Sequence, residues 1–168
     1  RPKAIIVGIT GTNGKSTTVA LLHHILKFNK IKSVIGGNFG YPACEIIDPG
    51  NDGVIILELS SYQLDGASKL TLNLASIINI TPDHLDYHNN FEEYLSCKLK
   101  IVDFLNDNGT IVYNEDDKLL NQLIKKDKYQ LIKIFKTKNI NSQNYINDNC
   151  SLNGKHNHVN ASIAISLA

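Results

Sequence analysis

The chain has 168 residues, 42% of them hydrophobic, which suits one domain with a substantial buried core. Its formal net charge is +1, so charge gives no reason to expect a nucleic-acid or membrane partner. The sequence shows no apolar run long enough to span a bilayer and no secretory signal.

Three cysteines, Cys44, Cys97 and Cys150, are widely spaced, and their odd number argues against a disulfide framework. We therefore expect reduced thiols in a cytoplasmic protein. The chain begins with Arg1 and contains no methionine, so we expect residues 1–168 to be one domain of a longer protein.

The amino-terminal part predicts a strand, a loop and a helix in that order. Residues 4–7 are a short apolar run typical of a buried strand, and the Gly/Thr/Asn-rich residues 8–14 predict a loop. Residues 16–28 carry apolar side chains at helical spacing. This order is the beginning of a βαβ unit.

The rest of the chain continues the alternation. Buried strands are predicted at residues 33–35, 54–57, 74–79 and 110–113, and helices at residues 91–105, 116–125 and 156–168. Asn90 can cap the first of these helices, with Glu93 placed for a capping box. Residues 125–149 are ambiguous, although residues 131–135 can form a strand. The alternation predicts an α/β fold whose doubly wound, mostly parallel sheet is flanked by helices.

The sequence TGTNGKST at residues 10–17 predicts a phosphate-binding loop between the first strand and the first helix. Glycines let backbone N–H groups turn toward phosphate oxygens, and the helix adds its positive N-terminal end. Lys15 can reach the outer phosphates, and the Ser16 hydroxyl can bind Mg²⁺. A tight turn with a solvated lysine explains neither the Gly-Lys-Ser order nor this position. The expected nucleotide contacts are Gly11, Thr12, Asn13, Gly14, Lys15, Ser16 and Thr17.

Two further residues carry predictions from their positions. Glu58 ends a buried strand, where α/β sheets place ligand groups, so it is a candidate Mg²⁺ ligand rather than a solvent-facing carboxylate. Lys98 falls within an apolar helical stripe, where burial favours its neutral amine. The alternative for Lys98 is that its ammonium group extends along the helix to reach water.

The loop departs from the strict phosphate-loop pattern, because Ile9 stands where that pattern has its first glycine. The variant TGTNGKST resembles the Mur ligase family. Further segments in family order resemble its D-glutamate-adding branch: GNFGYP at 37–42, ELSSYQL at 58–64, NITPDHLD at 79–86 and GKHNHVNA at 154–161. The resemblance implies the central domain of such a ligase.

The resemblance also implies roles for particular residues. His84 would bind the second of two Mg²⁺ ions and lie at the substrate, although a loop histidine alone more often packs at the surface. Lys98 would be carbamylated and help to hold that ion. Asn38 would contact the muramoyl substrate. Asn157 and Asn160 would contact the adenosine, although Asn157 can instead cap the last helix.

The resemblance implies an ATP-dependent ligation in peptidoglycan synthesis that joins D-glutamate to UDP-N-acetylmuramoyl-L-alanine through an acyl phosphate. Lys15, His84 and Lys98 would be the catalytic residues. Because the family's UDP-binding and amino-acid-binding domains do not fit in the chain, we expect it to lack turnover alone. We expect the ligase to be a monomer. The alternatives are a sibling ligase of the folylpolyglutamate synthase type, which Ser16 opposes, and a phosphate-loop nucleotide-binding module without ligase activity.

Overall fold

One six-stranded sheet organises the part of the chain that the computed structural model describes, namely residues 3–83, 88–124, 133–136, 152 and 154–168. The strand order is β2-β3-β1-β4-β5-β6, and every neighbouring pair is parallel. The strands are β1 Ile5–Thr10, β2 Ser33–Gly37, β3 Val54–Glu58, β4 Leu72–Ile77, β5 Leu105–Tyr113 and β6 Lys133–Lys136. The predicted parallel α/β fold is confirmed.

Helices cover both faces of this sheet. They are α1 Lys15–Phe28, α2 Ser61–Gly66, α3 Phe91–Asp103, α4 Lys118–Ile124 and α5 Lys155–Leu167. Alternate strand residues face opposite sides. In β3, Ile55 and Leu57 pack with α2, α3 and α4, whereas Ile56 packs with α1 and α5. Among the described residues, two buried clusters therefore form the core, one on each side of the sheet.

The first strand is longer than predicted. Residues 8–10 belong to β1, so the loop begins at Gly11 and not at Gly8. Gly8 pairs with Leu57 on one side and Ala75 on the other. A Cβ at Gly8 would lie 2.7 Å from Leu72 Cδ1, so this glycine permits close packing inside a strand rather than a turn.

Other boundaries differ from prediction by a few residues. The predicted strand at 74–79 is β4, Leu72–Ile77, and the predicted helix at 91–105 ends at Asp103 because β5 begins at Leu105. Asn90 caps α3 as predicted, but the Glu93 carboxylate accepts from the backbone N of Asn89. Among the helices of the described residues, none combines the length and hydropathy needed to cross a membrane.

Candidate functional site

The candidate site lies where β1, β3 and β4 end at the carboxyl edge of the sheet. The chain moves from β1 outward to β2, returns to β3, and then crosses to β4 on the other side of β1. Crevices at such a reversal are where open α/β sheets bind ligands. The loop after β1 and the start of α1 occupy this position, and the loop lies between the first strand and the first helix as the sequence predicted.

The loop turns into α1 at Gly14, which has a φ of 82°. This left-handed conformation favours glycine. A Cβ at Gly14 would also lie 2.4 Å from the Asn160 Oδ1 atom. The loop and α5 are therefore in direct contact at this glycine, which brings Asn160 beside the predicted phosphate site.

Substituting this glycine tests the contact. We expect Gly14→Ala to lower the free energy of unfolding by about 1–3 kcal/mol, through backbone strain and the clash with Asn160. Urea unfolding measures the change. Gly66→Ala is the matched control, because no atom lies within 4 Å of its Cβ position and its φ is not positive. Equal effects of the two substitutions would contradict the tight contact.

Lys15 bends back over the loop that precedes it. Its Nζ donates to the carbonyl oxygens of Gly11, at 3.0 Å, and Thr12, at 2.9 Å. These bonds hold the ammonium group above the loop at the positive end of α1. An anion placed at that helix end would meet both the backbone N–H groups of the first turn and this cation.

A buried carboxylate joins three segments beside the loop. Glu58 is 1% exposed, although it ends β3. Its Oε2 accepts from the Ser16 hydroxyl at 2.8 Å, and its Oε1 accepts from the Asn38 amide at 2.9 Å. Both recorded side-chain partners are neutral. A buried carboxylate with neutral partners is a favourable ligand for a cation, because burial without charge compensation is costly.

The backbone places Asn38 against Glu58. The Asn38 N–H donates to the Glu58 carbonyl at 2.9 Å. Gly37 has a φ of 95°, and a Cβ there would lie 2.3 Å from the same carbonyl. Gly37 is therefore required for the approach of the two segments, and Ser16 and Asn38 bond to the same carboxylate.

Lys98 faces the interior from α3 and is 2% exposed, so its side chain does not extend to water. Its Nζ donates to the Gly11 carbonyl at 2.9 Å and lies 4.7 Å from the centre of the Tyr94 ring. Burial, with a smaller contribution from the Lys15 charge, lowers the pKa of Lys98 from 10.5 to about 8. A substantial fraction of the amine is therefore neutral near physiological pH.

The lowered pKa has a consequence for stability. The Lys98 amine binds its proton less tightly in the folded chain than in the unfolded chain. The buried charge of Lys98 therefore destabilises the fold fully below pH 8, and this destabilisation disappears by about pH 10.5. From pH 8 to pH 10.5 the free energy of unfolding of the chain should therefore rise by about 3 kcal/mol relative to that of Lys98→Met. Urea unfolding at both pH values measures the gain. Lys100 pairs with Asp65 on the surface, so the free energy of unfolding of the parent relative to Lys100→Met should show no such gain.

Two residues of this region were given no role by the sequence analysis. The Asn79 side chain bonds to the backbone of Thr12 and Asn13, and the Tyr94 hydroxyl lies 2.9 Å from the Thr12 hydroxyl. Asn79 follows β4 and Tyr94 lies on α3, one turn before Lys98. The position of Asn79 at a strand end was the available signal, whereas no sequence pattern indicated the Thr12–Tyr94 contact.

Asn157 does not cap α5, which was the alternative to a nucleotide contact. The N-cap residue is Gly154, which has no side chain that could cap the helix. Asn157 Oδ1 instead accepts from Asn160 Nδ2 at 3.3 Å. Asn160 is 3% exposed and packs at Gly14, so this pair lies next to the phosphate loop.

His84 lies outside the described residues, so its predicted role stays a prediction. Asp83 is described, and its charge raises the pKa of Lys98 slightly against the effect of burial. Within the described ranges, no three His, Cys, Asp or Glu side chains cluster as a metal site. The predicted metal ligands Ser16, Glu58 and Lys98 all border the loop.

Comparison with known proteins identifies related sequences. The family model described as the Mur ligase middle domain matches residues 9–168. A UDP-N-acetylmuramoylalanine–D-glutamate ligase from Zymomonas mobilis is 40% identical over 97% of this chain and 36% of its own length. Enzymes with the same name from Thermotoga petrophila and Streptococcus equi are 45% identical over 70% of this chain and 33% identical over 99% of it, and these matches cover 27% and 40% of their own lengths. The chain thus spans well under half of these relatives.

Solved structures share the fold at lower identity. The UDP-N-acetylmuramate:L-alanyl-gamma-D-glutamyl-meso-diaminopimelate ligase from Neisseria meningitides matches 98% of this chain and 60% of its own, with a TM-score of 0.71 and 17% identity. The MurF ligase from Thermotoga maritima, in complex with ADP, matches 79% of this chain and 32% of its own, with a TM-score of 0.59 and 20% identity. At these identities the likeness establishes the fold.

Proposed function

Because the chain belongs to the Mur ligase family as a middle domain, we propose that it is the ATP-binding part of a ligase that adds D-glutamate to UDP-N-acetylmuramoyl-L-alanine. The observation that carries the proposal is the buried Glu58 carboxylate, which joins Ser16 of the phosphate loop to Asn38. The curated relatives with this activity support the choice of substrates. The proposal places the reaction in peptidoglycan precursor synthesis.

The phosphate loop and α5 would bind ATP from two directions. The N–H groups at the start of α1 would donate to phosphate oxygens, and Lys15 would leave the Gly11 and Thr12 carbonyls to contact the outer phosphates. Asn157 and Asn160 would contact the adenosine. Their position beside Gly14 supports this, because adenosine must lie next to its own phosphates.

The donor set fits Mg²⁺ at the edge of the loop. Ser16 offers a hydroxyl oxygen and Glu58 a buried carboxylate, and oxygen ligands of this kind are what Mg²⁺ prefers. Lys98 would provide a second carboxylate if its neutral amine adds CO₂ and releases a proton to form a carbamate, with His84 as a further ligand. Mg²⁺ would neutralise the negative charge that gathers where ATP meets the carboxylate substrate.

The chemistry would proceed in two steps. The carboxylate of UDP-N-acetylmuramoyl-L-alanine attacks the γ-phosphorus of ATP, which forms an acyl phosphate and releases ADP. The amine of D-glutamate then attacks the acyl carbon, which forms the amide and releases phosphate and a proton. Lys15 counters charge on the transferred group, and Asn38 orients the carboxylate substrate. Glu58 fixes Asn38 through its 2.9 Å bond to the amide.

The rest of the protein would complete the reaction. We propose that it supplies the surfaces for the UDP group and for D-glutamate, which would make the chain alone unable to turn over. We also propose that the ligase acts as a cytoplasmic monomer.

The deciding experiment measures phosphate release by the complete protein with ATP, Mg²⁺ and UDP-N-acetylmuramoyl-L-alanine. D-Glutamate, L-lysine and diaminopimelate are compared as acceptors. Release that requires D-glutamate supports the proposal. Release with another acceptor would move the protein to a sibling activity, and no release from folded, ATP-binding protein would indicate a nucleotide-binding module instead.

A further inference from the structure

We propose that Asn79 is a positioning residue that holds the phosphate loop in its anion-binding conformation before nucleotide arrives; the inference rests on the proposed binding of ATP at this loop. Asn79 follows β4, whereas the loop follows β1. The two strands are neighbours in the sheet, and the Ile78 N–H donates to the Thr10 carbonyl at 2.9 Å. Asn79 therefore reaches the loop from a fixed neighbouring strand.

The contacts of Asn79 span consecutive loop residues. Its Oδ1 accepts from the N–H groups of Thr12, at 3.1 Å, and Asn13, at 2.9 Å. Its Nδ2 donates to the Asn13 carbonyl at 3.1 Å, and its own carbonyl accepts from the Thr12 N–H at 2.9 Å. One residue thus binds both polar backbone groups of Asn13 and the donor of Thr12.

These bonds decide which backbone donors face an anion. The Thr12 and Asn13 N–H groups are directed to Asn79. The Thr18 N–H is the first donor of the helical pattern, and it bonds to the Gly14 carbonyl. The N–H groups of residues 14–17 lie between these two sets, where a helix start leaves donors for a ligand. We infer that the phosphate cradle begins at Gly14 and that Asn79 sets this limit.

Holding the loop in one conformation should strengthen phosphate binding, because the loop has a glycine at each end of its turn. Gly11 and Gly14 allow many backbone conformations, and selecting one on binding would cost conformational entropy. A loop already held by side-chain and backbone bonds would lose less entropy when phosphate binds. Removing Asn79 should therefore weaken nucleotide binding without removing any group that touches the nucleotide.

The test uses Asn79→Ala in the complete protein, with titration calorimetry of ADP with Mg²⁺ and steady-state kinetics. We expect the Kd for ADP and the KM for ATP to rise about tenfold or more, since the substitution leaves the Asn13 N–H and carbonyl without their side-chain partner, although the Thr12 N–H keeps its bond to the backbone carbonyl of residue 79. The KM for UDP-N-acetylmuramoyl-L-alanine should stay within twofold. A merely structural role would lower the folded fraction and the melting temperature but leave the KM for ATP of the folded enzyme unchanged.

Asn73→Ala is the matched control. Asn73 also lies at β4 and accepts a backbone N–H from the neighbouring β1, from Ile6 at 2.8 Å, but near the opposite end of the strand. It should change the melting temperature and leave the Kd for ADP unaltered. If Asn79→Ala does not fold, Asn79→Ser replaces it, because its short hydroxyl cannot bond to Thr12 and Asn13 together.

The outcomes separate this inference from the proposed function. If the unsubstituted protein binds neither ATP nor ADP, the proposed function and the inference are both overturned. If it binds nucleotide and the Asn79 variants bind equally well, the inference alone is overturned. Weaker ADP binding by the Asn79 variants, with the Asn73 variant unaffected, supports it.

Discussion

Replacing Lys15 with methionine in the complete protein is expected to lower kcat for phosphate release by about a thousandfold, because a preorganised cation at a transferring phosphoryl group is worth several kcal/mol. The structure gives the reason for choosing this lysine. Its Nζ lies at the start of α1, bound to the carbonyls of Gly11 and Thr12. Methionine keeps the length and the packing of the side chain but removes the charge.

The matched control is Lys27→Met, which removes the same charge from the last turn of the same helix. It should leave kcat within twofold, since Lys27 is distant from the loop along α1. Lys15→Met also removes the two hydrogen bonds to carbonyl oxygens, so the melting temperature should fall modestly, and kcat is compared on the folded protein. Retention of normal kcat by Lys15→Met, with ATP at saturation, would contradict the assigned role.

The sequence could predict the site largely because its residues lie at the ends of elements. The loop after β1 and Glu58 at the end of β3 both follow apolar runs, and parallel strands bring their carboxyl ends to one edge. Lys98 was recognisable because a charge interrupts an apolar stripe at helical spacing. The structure places its amine 2.9 Å from the Gly11 carbonyl, a partner that no local pattern specifies.

The parts that sequence analysis missed have separate physical causes. The α2 capping box, in which Ser60 and Gln63 bond reciprocally, was visible in the spacing but the helix has only six residues and a weak apolar pattern. Gly8 suggested a loop, yet it lies within β1 because its missing side chain makes room for Leu72. The contacts of Asn79 join residues far apart in sequence, and such pairs depend on strand register.

Replacing Glu58 with glutamine should produce opposite effects on activity and stability. The amide preserves the volume of the buried side chain but removes the negative charge that would bind Mg²⁺. We expect kcat at saturating ATP to fall about a hundredfold or more, and the Mg²⁺ concentration for half-maximal activity to rise. Without nucleotide the variant should be as stable as the parent or more stable, because it no longer buries a charge among neutral partners.

Glu45→Gln is the matched control, because it removes a carboxylate charge away from Glu58. Glu45 lies in the exposed turn Ala43–Glu45 after the Asn38 segment, so its substitution should change neither kcat nor the Mg²⁺ response. The Mg²⁺ titration is the sharper readout, because a poorly folded variant loses activity at every Mg²⁺ concentration alike. A Glu58→Gln enzyme with the parent's Mg²⁺ response would show that the carboxylate only positions Ser16 and Asn38. If Glu58→Gln needs more Mg²⁺ for half-maximal activity but is at least as stable as the parent, the buried Glu58 charge serves to bind the metal and costs the fold stability.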